Sequence, residues 1–396
     1  MHEIADLAER RARTPGCATG AHFNHAGASL PSADVLSTVH EHLLREALYG
    51  PMEAGAAATD AIEAVRRDAA RLVNAQPDEI AFAGSGSAAW GAVFAALPAL
   101  GRGDRLLVGR HEWGGNLATM RLAAERAGAT VEAIPCRDDG SVDADALAAM
   151  IDDRVRLISL TWLPANGGLV NDAVAVGRVA RAAGVPYFVD AGQALGQLPV
   201  DVAAIGCDLL KGAGRKFLRG PRGTALLYLR RGFAERLAPA FVDVASAPWS
   251  GDRARPRDDA RRFESGETSI ALTLGLGIAL RECLDVGLVP IRARIRRLAD
   301  ELRERLAAVD GVMVRDLGTE RSGLVSFTVG TLDVHDVRQR LALRGVRVGA
   351  NNVPYTPLDM TARGLDGVVR ASVSWLNTED EIERLVRETA IVAAHR

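Results

Sequence analysis

The chain has 396 residues, 48% of them apolar, with 48 basic and 50 acidic side chains and a formal net charge of −2. That length and apolar content suit one large domain or two, with a sizeable buried core. Charges of both signs are interspersed with no basic block and no aromatic–basic interleaving, which argues against a nucleic-acid partner. The longest apolar stretch, WGAVFAALPAL, is too short for a membrane span and contains Pro98.

The N-terminal MHEIADLAERRARTPG is charged, has helical periodicity and lacks the apolar core of a secretory signal. Cys17, Cys136, Cys207 and Cys283 are widely separated and have no metal-ligand spacing. A cytoplasmic protein with reduced, mostly buried thiols and no metal is therefore expected. From about residue 60, helical segments alternate with short apolar runs: AIEAVRRDAARLVN, EIAFAG, SAAWGAVFAALPAL, DRLLVG, a helix near 116–127, TVEAIP, a helix near 143–151, VRLISLTW, DAVAVGRVARAAG, VPYFVDAG, CDLLKG and TALLYLR. This alternation predicts an α/β fold with a largely parallel sheet covered on both faces. Residues 245–262 predict a long loop. Beyond residue 275 a long helical region leads into VMVRDL, LVSFTVG, a helix at DVHDVRQRLALRG, VRVGA, VVRASVSW and a last helix from Thr378. The expected organisation is an N-terminal helical segment (1–21) packed on the small domain, a large α/β domain (22–275) and a smaller α+β C-terminal domain (276–396).

In open α/β sheets, ligands sit at the carboxyl ends of the strands. YFVDAGQ ends a strand in Asp190, with Gln193 three residues on; an acidic residue there also serves as a helix cap. AFAGSGSAAW reads as a strand, a tight turn and a helix, whose first amides with Ser85 and Ser87 make an anion cradle. RHEWGGN sets Trp113 just after a strand, where an indole covers a flat ring or simply packs in the core. The only two lysines in the chain, Lys211 and Lys216, lie in CDLLKGAGRKFLRGPRG. A lysine amine forms an imine with an aldehyde, whereas a guanidinium does not. An imine-forming lysine, a carboxylate for a pyridinium nitrogen, a phosphate cradle and a ring cover are together what pyridoxal 5′-phosphate (PLP) requires.

From HFNHAGAS to RASVSWLNTEDEIERLV the chain resembles the class V aminotransferase-fold enzymes of PLP fold type I, in the branch of cysteine desulfurases, C–S lyases and isopenicillin N epimerase-like proteins. The resemblance implies a large domain with a mostly parallel seven-stranded sheet flanked by helices, and a smaller α+β domain. It implies Lys216 as the Schiff-base lysine, Asp190 on the pyridine nitrogen and Gln193 on the phenolic oxygen. Gly86, Ser87 and Arg215 would meet the phosphate, Trp113 would stack on the ring, and Asn166 would lie near it. Glu267 and Thr268, in RRFESGETSIA, match a segment that reaches the partner's phosphate, which implies a homodimer with shared active sites. Arg370, in VRASVSWLNT, would clamp the substrate α-carboxylate, with His25, Ser29 and Asn352 lining the substrate pocket. Lys211 matches no catalytic group and is expected to be structural or solvated.

One departure narrows the chemistry. Cysteine desulfurases carry a nucleophilic cysteine in a run like R-x-G-x-x-C, and here RVGANN places Asn352 at that position. Without that thiolate the resemblance favours a C–S lyase acting on an S-substituted cysteine or cysteine conjugate. An aminotransferase, an epimerase or a decarboxylating, oxidative enzyme are the alternatives. A desulfurase follows them, and a non-catalytic sensor of the same fold comes last.

Overall fold

The computed structural model describes residues 4–395, so the first three residues of the expected N-terminal segment lie outside the described residues. The strands are β1 (Ala21–Phe23), β2 (Ile80–Ala83), β3 (Arg105–Gly109), β4 (Thr130–Ile134), β5 (Val155–Thr161), β6 (Tyr187–Asp190), β7 (Leu209–Lys211) and β8 (Ala225–Leu229). They are followed by the hairpin β9 (Trp249–Ser250) and β10 (Arg253–Ala254), then β11 (Val312–Val314), β12 (Leu324–Val329), β13 (Val346–Asn352) and β14 (Gly367–Ser372).

Seven of these form the first sheet, in the order β2-β8-β7-β6-β5-β3-β4. Neighbours run parallel from β7 through β4, and β8 is antiparallel to both β7 and β2. Strands covered on both faces read as unbroken apolar runs, and YFVD and ALLYL are buried at every position. One apolar cluster, including Val65, Ile158, Val189 and Leu280, lies on one face; another, including Trp90, Leu106, Phe188 and Leu227, lies on the other.

The helices packed on the two sheets have readable boundaries. Helix Thr59–Val73 buries Val65, Ala69, Ala70, Leu72 and Val73 and ends at Asn74, whose φ of 56° is the left-handed conformation common at helix ends. The last helix, Glu379–Ala394, starts with a capping box: Thr378 accepts from the Glu381 N–H while the Glu381 side chain returns to the Thr378 N–H. The expected loop at 245–262 contains the β9–β10 hairpin and the start of a short helical turn at Ala260–Phe263.

The second sheet has the order β1-β13-β14-β12-β11 and its own core, including Phe23, Leu302, Phe327, Val346 and Ile382. Its first strand comes from the chain's beginning: Ala21, His22 and Phe23 pair in parallel with Val346, Arg347 and Val348. The boundary expected at residue 22 therefore falls inside a strand of this sheet. Three residues alone give no period by which to assign them. Among the described residues, no helix is long and apolar enough to cross a membrane.

Candidate active site

The parallel strands deliver their carboxyl ends to one cavity of about 590 Å³. Thr161, Asp190 and Lys211 end β5, β6 and β7 and are successive Cα partners, so their side chains share one face of the sheet. Asp190 is buried. Its Oδ1 accepts from the Gly192 N–H at 2.9 Å, and its Oδ2 accepts from Asn116 Nδ2 at 3.1 Å and from Lys211 Nζ at 2.6 Å. The sequence reading expected Lys211 to be structural or solvated; it is not solvated, being 6% exposed, paired with Asp190 and part of the cavity wall.

Lys216 follows β7 in a glycine-rich turn and projects into the same space, with its Nζ 5.9 Å from the centre of the Trp113 ring. Burial pushes its amine down to about 7; Asp190 pulls upward, while Lys211, Arg215 and Arg370 add to the depression. Asp190 is held below the usual carboxylate range. Burial acts against this, and the charges of Lys211 and Lys216 overcome it. A Cβ placed on Gly192 would stand 2.9 Å from Asp190 Oδ1, 3.4 Å from Lys216 Nζ and 3.9 Å from Lys211 Nζ, so this glycine keeps open the space where the three groups meet.

At the end of β2, Ser85 caps helix Gly86–Phe94 by accepting from the Ala88 N–H at 3.1 Å. The first amides of a helix have no intrahelical partner, and those of Gly86 and Ser87 begin this one at the cavity wall. Arg215 lines the same wall, donates to the Gly27 carbonyl at 2.6 Å and has no acidic partner among the described ion pairs. After β3, the Trp113 N–H donates to Thr161 Oγ1 at 2.8 Å, which fixes the indole at the start of helix Gly114–Ala127.

The second sheet closes the cavity with Arg370 of β14. Its Nη1 donates to the Ala165 carbonyl at 2.8 Å and its Nη2 lies 3.4 Å from Asn24 Oδ1. Its buried Nε has no hydrogen-bond partner. No described carboxylate pairs with this 5%-exposed guanidinium, and burial lowers it to about 10, so it is still charged at neutral pH. A buried, unpaired cation facing a cavity is a site for an anion.

The cavity brings together Gly86, Ser87, Trp113, Asp190, Gln193, Arg215, Lys216 and Arg370 of the expected residues. The other expected residues do not line it. Asn166 lies behind the wall and accepts from Asn351 Nδ2 at 2.8 Å. His25 is buried against Ser29, Nδ1 to Oγ 2.9 Å, beneath the loop whose Asn24, Ala26, Gly27 and Ala28 do reach the cavity. Asn352 is held elsewhere, by His335 at 2.6 Å and the Asp366 carbonyl at 3.1 Å. Alternation along β13 gives the cavity to Asn351 instead. Glu267 and Thr268 are exposed in the loop before helix Ile270–Val286. Beyond Lys211, the sequence reading missed Asn24, Thr161, Arg338, Asn351 and Tyr355 on the cavity wall.

The donor set fits a phosphorylated pyridine aldehyde. A neutral-leaning amine, a buried carboxylate, a helix start beside an unpaired arginine, and a buried Gln193 Oε1 without a partner all converge there. The fold and this site define a PLP-dependent enzyme. Residues 22–385 match the aminotransferase class V family, and the chain belongs to it. It is 32% identical to a probable cysteine desulfurase of Xylella fastidiosa (strain 9a5c), over 84% of this chain and 80% of that one. It is 30% identical to another of Methanothermobacter thermautotrophicus, over 83% and 82%. Its fold resembles that of the apo cysteine desulfurase of Thermococcus onnurineus NA1, with a TM-score of 0.91, 24% identity and full coverage of both chains. It also resembles that of the cystine C–S lyase C-DES in complex with its product cysteine persulfide, with a TM-score of 0.86, 23% identity and coverage of 95% and 99%.

Proposed function

We propose that this enzyme is a C–S lyase that cleaves the Cβ–S bond of an S-substituted cysteine or cysteine conjugate. The observation that carries the reading is the absence of a thiol from the cavity: none of the four cysteines lines it, and Asn352 stands at the desulfurase cysteine position with its side chain engaged elsewhere. Burial raises the Cys283 thiol to about 12 and Cys207 further still, so neither supplies a thiolate at neutral pH. Desulfuration through an enzyme persulfide needs such a thiolate, whereas elimination does not.

Lys216 would carry the cofactor, Asp190 would accept from its ring nitrogen, and Gln193 would face its phenolic oxygen. Gly86, Ser87 and Arg215 would hold its phosphate, and Trp113 would cover its ring. When bound, PLP supplies an electron sink that acidifies the substrate Cα–H bond. Arg370 would grip the substrate α-carboxylate and orient that bond. Once the substrate amine has taken its place, the Lys216 amine would be free to take the Cα proton, the freed electron pair would form Cα=Cβ, and the Cβ–S pair would leave with sulfur. The resulting aminoacrylate hydrolyses to pyruvate and ammonia.

The self-partner would cover a surface that is unusually apolar. Leu48, Tyr49 and Met52 are 72%, 70% and 82% exposed, and Phe241, Val244 and Trp249 are also exposed. We assign these to a homodimer interface through which Glu267 and Thr268 reach the second active site. An aminotransferase for an acidic amino acid is the second reading, favoured by Arg222 and Arg338, which line the cavity with no described ion pair. Incubating the holoenzyme with S-substituted cysteines tests the choice. Pyruvate and a thiol species in equal amounts are expected; alanine with persulfide, or turnover only with a keto-acid acceptor, overturns the lyase reading.

A further inference from the structure

Charge on the cavity wall is one-sided. Lys211, Arg215, Lys216, Arg222, Arg338 and Arg370 line it, and among the described residues Asp190 is the only carboxylate that does. Lys211 is paired with Asp190 at 2.6 Å. In the reading above, Lys216 carries the cofactor and Arg370 takes the α-carboxylate. Arg222 belongs with Arg215: burial lowers the Arg215 guanidinium, and the charge of Arg222 adds to that. Two guanidiniums on one wall suit a phosphate monoester, which carries about −1.5 to −2 at pH 7. Arg338 is left over. Its side chain has no ion pair or hydrogen bond among the described residues.

The fold carries this arginine to the substrate side. Helix Val334–Leu343 packs Val334, Val337 and Leu341 into the core of the second sheet. His335 and Arg338, three residues apart, share a flank beside that apolar stripe. His335 Nε2 meets Asn352 Oδ1 at 2.6 Å, so this flank lies over the carboxyl end of β13. There Arg338 joins the wall that also carries Asn351, Tyr355 and Arg370. Arg338 is exposed and Arg370 is buried, which sets the two cations at different depths. Asn351 offers no donor between them, because its amide nitrogen is engaged by Asn166 Oδ1 and the Ala165 carbonyl.

We propose that Arg338 receives an anionic group at the far end of the sulfur substituent, so that the substrate is a cysteine conjugate whose substituent ends in an acid. Depth orders the molecule: the α-carboxylate goes inward to Arg370, and the substituent extends outward beside Tyr355 to Arg338. A guanidinium fork matches a terminal carboxylate or sulfonate. A cation near solvent costs little while it is empty, and it adds affinity only for substrates that bring a charge. The inference rests on the lyase reading for the identity of the substituent. The contact itself requires only that Arg370 hold the α-carboxylate, whichever bond the enzyme then breaks.

The test compares acids with their neutral isosteres. Holoenzyme is titrated with S-carboxymethyl- and S-carboxyethylcysteine and with the corresponding amides, and cofactor absorbance reports binding whether or not the Cβ–S bond breaks. The better acid should half-saturate the wild type at a concentration about tenfold below its amide. Added salt should shrink that preference, because Arg338 is exposed. Arg338→Gln should weaken binding of the acid about tenfold and leave the amide unchanged, and Arg338→Lys should recover part of the loss. Equal binding of acid and amide by the wild type overturns the proposal. So does a preference that survives in Arg338→Gln, or one that is lost only in Arg222→Gln. Pyruvate is measured separately: an acid bound preferentially without pyruvate release supports the Arg338 contact and overturns the lyase reading. Pyruvate released equally well from acid and amide does the reverse.

Discussion

At the residue scale, the site depends on how burial changes ordinary side chains. Lys216 is brought to about 7 chiefly by burial, so near neutral pH a substantial fraction is the free amine that PLP captures. Below that value the amine is protonated and capture slows. The rate at which apoenzyme takes up PLP should therefore fall about tenfold per pH unit below about pH 7 and level off above it, as followed by cofactor absorbance. Borohydride reduction followed by peptide mapping should place the adduct on Lys216; an adduct on Lys211 would reverse the two lysines' roles. Arg370→Lys keeps a charge but loses the planar fork. It should raise KM by about 10- to 100-fold with the cofactor spectrum unchanged, and loss of PLP itself would count against its assignment to the α-carboxylate. Lys216, Asp190 and Gln193 were legible because strand ends and glycine-rich turns are local patterns. Lys211 was not, since its partner Asp190 lies on the neighbouring strand and register between strands is invisible to local spacing.

Elements set how these residues meet. One tightly confined joint lies between helix Gly114–Ala127 and the turn Val353–Tyr355, where a Cβ on Gly114 would stand 1.9 Å from the Pro354 carbonyl oxygen. That approach keeps Tyr355 near Trp113, ring centres 5.6 Å apart, on the cavity wall. Gly114→Ala should destabilise the protein by about 1–3 kcal/mol and raise KM, checked by thermal unfolding and steady-state kinetics; unchanged kinetics would mean that the turn does not position the substrate side of the cavity. The same scale explains Asn351 and Asn352. The sequence match fixes which residue replaces the cysteine, but only the phase of β13 decides which side chain faces the cavity. Helix boundaries were readable for the opposite reason: Ser85, Asp143, Asp172 and Thr378 each cap the helix that they precede, through bonds within three residues.

For the whole molecule, the apolar surface around Leu48, Tyr49 and Met52 bears on assembly. Leu48→Glu with Met52→Glu should shift the protein to monomers in light scattering and weaken PLP retention, because Glu267 and Thr268 would no longer reach a second site; a dimer that persists would place the interface elsewhere. The order of the strands has a different consequence, one for synthesis on the ribosome. All seven strands of the first sheet have emerged by Leu229, carrying Asp190, Lys211 and Lys216 with them. The second sheet needs both ends of the chain: β1 has no strand to join until residues 346–348 appear, and Arg370 comes later still. Pairing over so long a separation is slow to form. A growing chain thus completes the sheet that carries the amine and carboxylate well before it gains the arginine for the substrate. Its first strand waits through nearly the whole of translation for its partner, leaving an open edge for chaperones to shield.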